Sequence, residues 1–400
     1  MEKTLMICDE HPLPENNGGS IRTMNFVRFF KQLGTVDLIY NKRRPSHTGA
    51  PGVFRKEYFS PIRYLGDKQS RALRIRLHRL IHRLPWIIGD ISLDSRNEFL
   101  SILHSEQYDI ILVRYLINTG CIFDLPKEYR KRVIFDYDDI LLDSMFRVYY
   151  GEPNSLYLKF RFHLEKKILK NYERKCLKSG AALFCSQEDR KKIVGLNERR
   201  NTHVVPNIYE NESFREFEFG DGFGKMGSIL YVGSVSYKPN MEGLTWFLKE
   251  IYPVILGRFP ETKFYIVGRW LSTNDFFSSF QGVQFHPNVP DIKPFYKDCG
   301  ALIVPLLSGG GTRIKILEAG LANRPVLSTP LGAYGLGLMD GRDALLFSDR
   351  EDFLFQYSRL FHKDFYHSLV NHLHNLVISK YSQVHFNKAM QKVIESLPIQ

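Results

Sequence analysis

Apolar residues recur along this chain in short, nearly unbroken runs separated by longer mixed segments. In the first half the runs are Thr4–Cys8, Val36–Tyr40, Ile110–Val113, Val133–Phe135, Ala181–Cys185 and His203–Val205. Short continuous apolar runs are what strands buried on both faces require, as in a parallel sheet. Between them the period changes. After a loop containing Pro12, Pro14, Gly18 and Gly19, the residues Ile21, Phe26, Phe29, Phe30 and Leu33 define one helical face, and a long charged helix is expected over 155–178. This alternation implies a doubly wound α/β domain. An acidic, glycine-bearing stretch over 207–227 reads as a linker. A second series follows, with strands expected at Ser228–Val232, Lys263–Val267, Ala301–Val304 and Val326–Ser328 and a helix at Met241–Leu256 behind Pro239 and Asn240. Residues 365–394 read as helical. The expected division is a first Rossmann-like domain over 1–206, the linker, a second Rossmann-like domain over 228–364 and a helical segment over 365–400.

The segment Pro305–Val326, PLLSGGGTRIKILEAGLANRPV, carries the most chemistry. A buried strand runs into Gly309, Gly310 and Gly311, then Thr312, then a helical pattern with Ile314, Leu317 and Leu321 on one face. Strand, glycine turn and helix together aim bare backbone N–H groups at an anion. Arg313 and Lys315 fall at the start of that helix, where a cation opposes the dipole. Two cations there are explained by a phosphate above them, or by a Lys315–Glu318 pair on a solvated face with the glycines serving only as a turn.

The same segment resembles the donor site of the retaining family-4 glycosyltransferases, with Glu318, Ala319, Pro325 and Val326 matching the E-A-M-A-x-G-x-P-V run. Asn323 stands where that family usually has Gly, and Gly310 stands where it usually has a first Glu. Leu230–Phe247, LYVGSVSYKPNMEGLTWF, is similar to the start of the family's nucleotide domain, although Ser234 replaces a usual Arg and Lys238 lies one place short of the usual Lys. The resemblance implies the GT-B fold, two Rossmann-like doubly wound domains facing a central cleft, with a final helix crossing back to the first domain. It implies a nucleoside-diphosphate-sugar donor held by Gly233, Ser234, Gly309–Gly311, Thr312, Arg313 and Lys315, with Lys238 in reserve and Glu318 on the ribose. The loop bearing Asn17, Gly18, Gly19 and Arg22 is similar to the first-domain loop that approaches the donor. Asp138 and Asp139 fall where many relatives have a His-Asp pair near the acceptor. Asp136, Asp138, Asp139 and Asp143 also suggest a manganese Asp-x-Asp site or a capped helix start. The metal reading ranks second, because Arg313, Lys315 and a helix end already neutralise a diphosphate. No metal and no cofactor are expected.

Charge adds one feature. Of the formal net charge of +12, all lies in residues 1–200, which hold 36 Lys and Arg against 24 Asp and Glu. A basic half joined to a neutral one implies an anionic partner. Its densest part, Arg71–Trp86, places Leu73, Leu77, Leu80 and Leu84 on a seam among five arginines. Residues 71–88 are therefore expected to lie on an anionic membrane surface, or else to form a core helix with solvated arginines. No signal peptide or membrane span is expected, and five scattered cysteines fit a reducing compartment. Together with the resemblance, these features imply a chain expected in the cytoplasm, peripheral at the inner face of the plasma membrane, acting on a glycan or lipid-linked acceptor in bacterial surface polysaccharide synthesis. Two other readings stay open, a glycosyltransferase acting on nucleic acid and a non-catalytic subunit. No nucleic-acid partner is expected, since the basic residues follow no DNA-binding pattern.

Overall fold

The computed structural model describes residues 2–15, 17–42, 52–59, 85, 88, 93–122, 125–138, 140, 156–177, 180–195, 201–270 and 276–397. They divide into two units, residues 1–206 with 387–400 and residues 207–386. The helix Gln383–Ser396 thus begins in the second unit, while its residues from Asn387 onward belong to the first.

The first unit is built on seven strands, β1 Glu2–Glu10, β2 Gly34–Lys42, β3 Glu57–Phe59, β4 Ile110–Arg114, β5 Val133–Tyr137, β6 Ala181–Phe184 and β7 Thr202–Val204. All neighbours are parallel, in the order β3-β2-β1-β4-β5-β6-β7. The second unit has β8 Ser228–Val232, β9 Lys263–Gly268, β10 Val283–Pro287, β11 Ala301–Val304, β12 Val326–Ser328 and β13 Leu345–Leu346. These too are parallel, in the order β10-β9-β8-β11-β12-β13. Strand order reverses between β1 and β4 in one sheet and between β8 and β11 in the other. Connections leave such a switch point in opposite directions, which opens a crevice at the carboxyl ends of its strands. The segments after β1, β8 and β11 carry candidate residues, and Asp138 directly follows β5, next to β4.

Four central strands are buried along their whole length because both faces are covered. β4, β5, β8 and β11 expose no residue. The strands that periodicity missed are of another kind. β3 and β13 are only three and two residues long, and β10 is an edge strand whose residues are at most half-buried. A half-exposed edge strand such as β10 gives no continuous apolar run to read.

Helix bounds shift for local reasons. The long charged helix runs Leu156–Cys176. The helix expected from Met241 begins at Lys238, since Pro239 in its first turn lacks only an N–H that no turn would use. It widens into a π-turn at Phe247–Ile251 before continuing as Tyr252–Arg258. Pro253 there can neither donate to nor pack under the preceding turn. The C-terminal helical region is two helices, Lys363–Lys380 and Gln383–Ser396. The stretch expected as a linker is packed into the second unit. Ile208, Phe214 and Phe219 are buried, and the Phe219 and Gly220 carbonyls accept from Arg324. Its aromatic residues anchor what its acidic composition suggested was free. Among the described residues, no helix is long and apolar enough to cross a membrane. The basic seam over 71–88 lies outside the described residues apart from Pro85 and Ile88.

An ionic group sits inside the first unit. Arg22 and Arg114 are fully buried and both bind Asp136. Arg22 Nη2 donates to Asp136 Oδ1 at 2.6 Å and Arg114 Nε to Oδ2 at 3.0 Å. Burial pushes the Asp136 carboxyl up, but the two guanidinium groups outweigh it and hold the carboxyl below its ordinary value. Stability from this group is therefore present above the unfolded carboxyl value and lost as pH falls through the depressed folded one. Asp136→Asn leaves two buried cations short of a counter-charge. Denaturant unfolding should show a loss of about 3–5 kcal/mol at neutral pH, and a loss below 1 kcal/mol would show that the network is solvated.

Candidate functional site

In the second unit, β11 ends at Val304 and the chain runs through Pro305 into the glycine triplet. Gly309 and Gly311 have φ of +101° and +72°, which glycine adopts without a side-chain clash. The helix Ile314–Leu321 follows, with Arg313 at its N-cap. A guanidinium only donates, so Arg313 supplies no side-chain acceptor to the first-turn N–H groups. It turns back instead and donates to the Gly310 carbonyl, bracing the loop. Thr312 is buried, and its hydroxyl accepts from Asn207 Nδ2 at 2.8 Å. Thr312 therefore ties the loop to the segment ahead of β8.

The helix is anchored on several sides. Gly320 lets it touch the helix Lys363–Lys380, since a Cβ there would lie 2.6 Å from Val377. Arg324 is fully buried and donates to the carbonyls of Tyr296, Ala322, Phe219 and Lys297. Asn323, at the C′ position, has φ +54°, the left-handed conformation a helix stop requires. Glu318 is buried, and its Oε2 accepts from the Tyr296 hydroxyl at 2.9 Å. Burial pushes the Glu318 carboxyl up to about 7, against the Tyr296 bond and Lys315.

Lys315 is half-buried as a residue, but its Nζ is enclosed and makes no hydrogen bond. It does not reach Glu318 within ion-pair distance. It lies over the Tyr231 ring, 4.0 Å from the centroid, a stacking that offsets part of the lost hydration. Burial, with Arg313 adding repulsion and Glu318 opposing, pushes its ammonium down to about 7. A solvated Lys315–Glu318 pair is thereby replaced by a desolvated cation facing the β8 loop.

That loop begins at Gly233, which has φ +151° and is within 2.7 Å, at its virtual Cβ, of Lys315 Nζ. The Ser234 carbonyl accepts from Asn240 Nδ2 at 2.7 Å, fixing the turn. Gly243 lets the following helix close on the β11 loop, because a Cβ there would meet the Pro305 carbonyl at 2.1 Å. Gly233, Ser234, Gly309–Gly311, Arg313 and Lys315 thus converge at one switch point. Lys238 does not join them. It is exposed and paired with Glu242 at 3.7 Å, one turn along its own helix.

In the first unit, Asn17 caps the helix Gly18–Leu33 through a reciprocal pair with Ser20. Gly18 is exposed, and a Cβ on Gly19 would meet the Tyr115 hydroxyl at 2.3 Å. Arg114 joins this loop to the aspartates, donating to the Gly19 carbonyl at 2.5 Å and to Asp138 Oδ2 at 2.5 Å. The expectation that Arg22 touches substrate is corrected. Its guanidinium is enclosed and donates to Asp136 and to the Val205 carbonyl. Asp136 and Asp138 face guanidinium groups rather than a shared metal position. Asp139 and Asp143 lie outside the described residues. Sequence reading missed Arg114, Tyr231, Tyr296 and Arg324, each an isolated polar residue in or beside an apolar run.

Known proteins resemble this chain in sequence over the second unit and in fold over nearly its whole length. Residues 227–363 match the protein-family model for glycosyl transferases group 1. A 44.6 kDa protein in the cps region of Klebsiella pneumoniae, itself uncharacterised, is 20% identical over 363 residues, covering 87% of this chain and 88% of that one. Sucrose-phosphate synthase from Thermosynechococcus elongatus superposes with a TM-score of 0.69 at 14% identity, over 99% of both chains. HepE of Anabaena, solved with UDP and glucose, gives 0.65 at 12% identity over 99% of this chain and 100% of that one. The fold is two Rossmann-like α/β domains, as in the GT-B glycosyltransferases, and the part of the chain that is similar to the glycosyl transferases group 1 model, residues 227–363, holds the glycine loop, Arg313, Lys315 and Glu318.

Proposed function

We propose that this protein transfers a sugar from a nucleoside-diphosphate sugar to a glycan or lipid-linked acceptor, with retention at the sugar, in bacterial surface polysaccharide synthesis. The observation that carries this reading is the enclosed, unpartnered Lys315 ammonium beside Arg313 and a positive-φ glycine loop. An isolated buried cation is costly unless an anion joins it. A diphosphate leaving group is such an anion, and a group 1 domain is where it would be used. The cps-region relative and the UDP-bound HepE structure favour the polysaccharide setting and the nucleotide donor.

In this reading Lys315, Arg313 and the first-turn amides stabilise charge that develops on the departing diphosphate. Pre-set donors in a water-poor site act strongly at that stage because they need no reorganisation. Glu318, already aligned by Tyr296, takes the ribose hydroxyls. The acceptor belongs to the first unit, where Asp138, held by Arg114 near Gly19, orients a hydroxyl. Retention follows from front-face attack, with a phosphate oxygen of the donor removing the acceptor proton. The reaction is metal-independent, and the basic residues over 71–88 hold the protein to the anionic inner face of the plasma membrane.

Purified protein incubated with a panel of sugar nucleotides in excess chelator should release nucleoside diphosphate from at least one of them. No release from any donor would refute the transferase reading. With that donor, Glu318→Ala should raise KM by about tenfold or more at little cost in kcat, as loss of a buried hydroxyl contact predicts. An unchanged KM removes Glu318 from the site.

Nucleotide binding should also take up protons. Lys315 is mostly neutral at pH 8 when its ammonium titrates at about 7, and an adjacent diphosphate raises that value. Calorimetry at pH 8 in buffers of different ionisation enthalpy should report an uptake approaching about one proton per nucleotide. Glu318, at about 7, is already largely ionised there. The uptake should fade below pH 6 and vanish in Lys315→Met. Uptake that survives that substitution assigns the proton elsewhere.

Replacing Arg74, Arg76 and Arg79 together by Gln should release the protein from phosphatidylserine vesicles in a sedimentation assay without changing donor hydrolysis. Each lost cation removes about 1 kcal/mol of attraction. Retention of the triple variant on the vesicles assigns the segment to the protein core.

A further inference from the structure

Two polar groups in the second unit are enclosed without a hydrogen-bond partner beside the same residue. One is the Lys315 ammonium and the other is the Tyr231 hydroxyl. A Cβ at Gly233 would lie 2.7 Å from Lys315 Nζ and 3.2 Å from Tyr231 Oη. Because Gly233 has no side chain, both groups face the bare edge of its backbone, at the carboxyl end of β8. The third neighbour, Asn240 Nδ2 at 3.4 Å, already donates to the Ser234 carbonyl and only shapes the turn.

The ring of Tyr231 has a structural explanation. It is fully buried in the core of the second unit and is the surface on which the Lys315 cation rests. The hydroxyl has none, because phenylalanine would pack and stack as well. A buried hydroxyl without a partner weakens the folded state. Burial also pushes the phenol well above its ordinary value, with Arg313 opposing, so the group stays a neutral donor throughout the working pH range. Its requirement is therefore an acceptor, and the adjacent ammonium requires an anionic one.

We propose that Tyr231 is a ligand-binding residue whose hydroxyl donates to a non-bridging phosphate oxygen of the nucleoside diphosphate, beside the Lys315 ammonium and over the bare edge of Gly233. This deepens the donor-site reading and rests on it. Gly233 is needed for this arrangement, since a Cβ there would crowd the Lys315 ammonium at 2.7 Å.

The test is Tyr231→Phe, with binding of UDP, ADP and GDP measured by calorimetry and melting of the ligand-free protein measured alongside. For each nucleotide the wild-type protein binds, the variant should bind about tenfold more weakly, the usual effect of removing one buried hydrogen bond to a charged group. Its ligand-free Tm should stay the same or rise, because an unsatisfied group has gone. A tyrosine hydroxyl with a structural role would give the reverse, a lower Tm and unchanged Kd. Unchanged Kd overturns the assignment of Tyr231 whatever the Tm, and leaves the donor reading standing. If the wild-type protein binds none of the three nucleotides, the donor reading and this inference fall together.

Discussion

The second unit is organised around one unfavourable placement, an ammonium group enclosed without a counter-ion. Lys315 extends from the first turn of its helix toward β8 and rests on the Tyr231 ring. A lysine in open solvent would swing away. This one is held because its helix is fixed at both ends and along its back. Arg324 binds six neighbouring carbonyls, Gly320 admits the Val377 side chain, and Tyr296 holds Glu318. Burial energy from the surrounding core thus maintains a local electrostatic strain. Strain of that kind is relieved by an anion, which is what the proposed donor reading supplies.

The first unit handles charge differently. Arg22, Asp136 and Arg114 are also enclosed, but they satisfy one another. The result is a rigid group at the carboxyl ends of β4 and β5, from which Arg114 reaches Asp138 and the Gly19 carbonyl. The two units therefore present opposite arrangements at their switch points. One holds a neutralised network that fixes the shape of a loop and the direction of a carboxylate. The other holds unneutralised donors that need a partner. This division suits a pair of sites in which one positions a neutral hydroxyl and the other binds a diphosphate.

Three glycines show how backbone space was spent at the second site. Gly309 and Gly311 take φ values that turn the chain away from β11, and Gly243 brings the neighbouring helix against Pro305. Gly310, where relatives of the resembled family carry a carboxylate, instead offers its carbonyl to Arg313. Arg313 is thereby tied to the backbone of its own loop.

The sequence by itself determined the two α/β series, their central strands, the glycine loop with its following helix, and Arg313, Lys315 and Glu318 as candidates. It could do so because strands buried on both faces leave unbroken apolar runs, and because glycines and charges near a helix start are local signals. The edge strands β3 and β10 were not legible, since exposed and half-exposed residues leave no such run, and β13 is only two residues long. Nor was the packing of the stretch over 207–227, whose composition suggested a linker. Only tertiary structure decided which charges are satisfied. Arg22 looked like a loop cation and is a buried structural one, Lys238 looked like a reserve for the phosphate and is an exposed partner of Glu242, and Tyr231 looked like core and carries a free hydroxyl. Whether a charge or hydroxyl is paired depends on residues that are far apart in the chain and adjacent only after folding, and no local pattern records that distance.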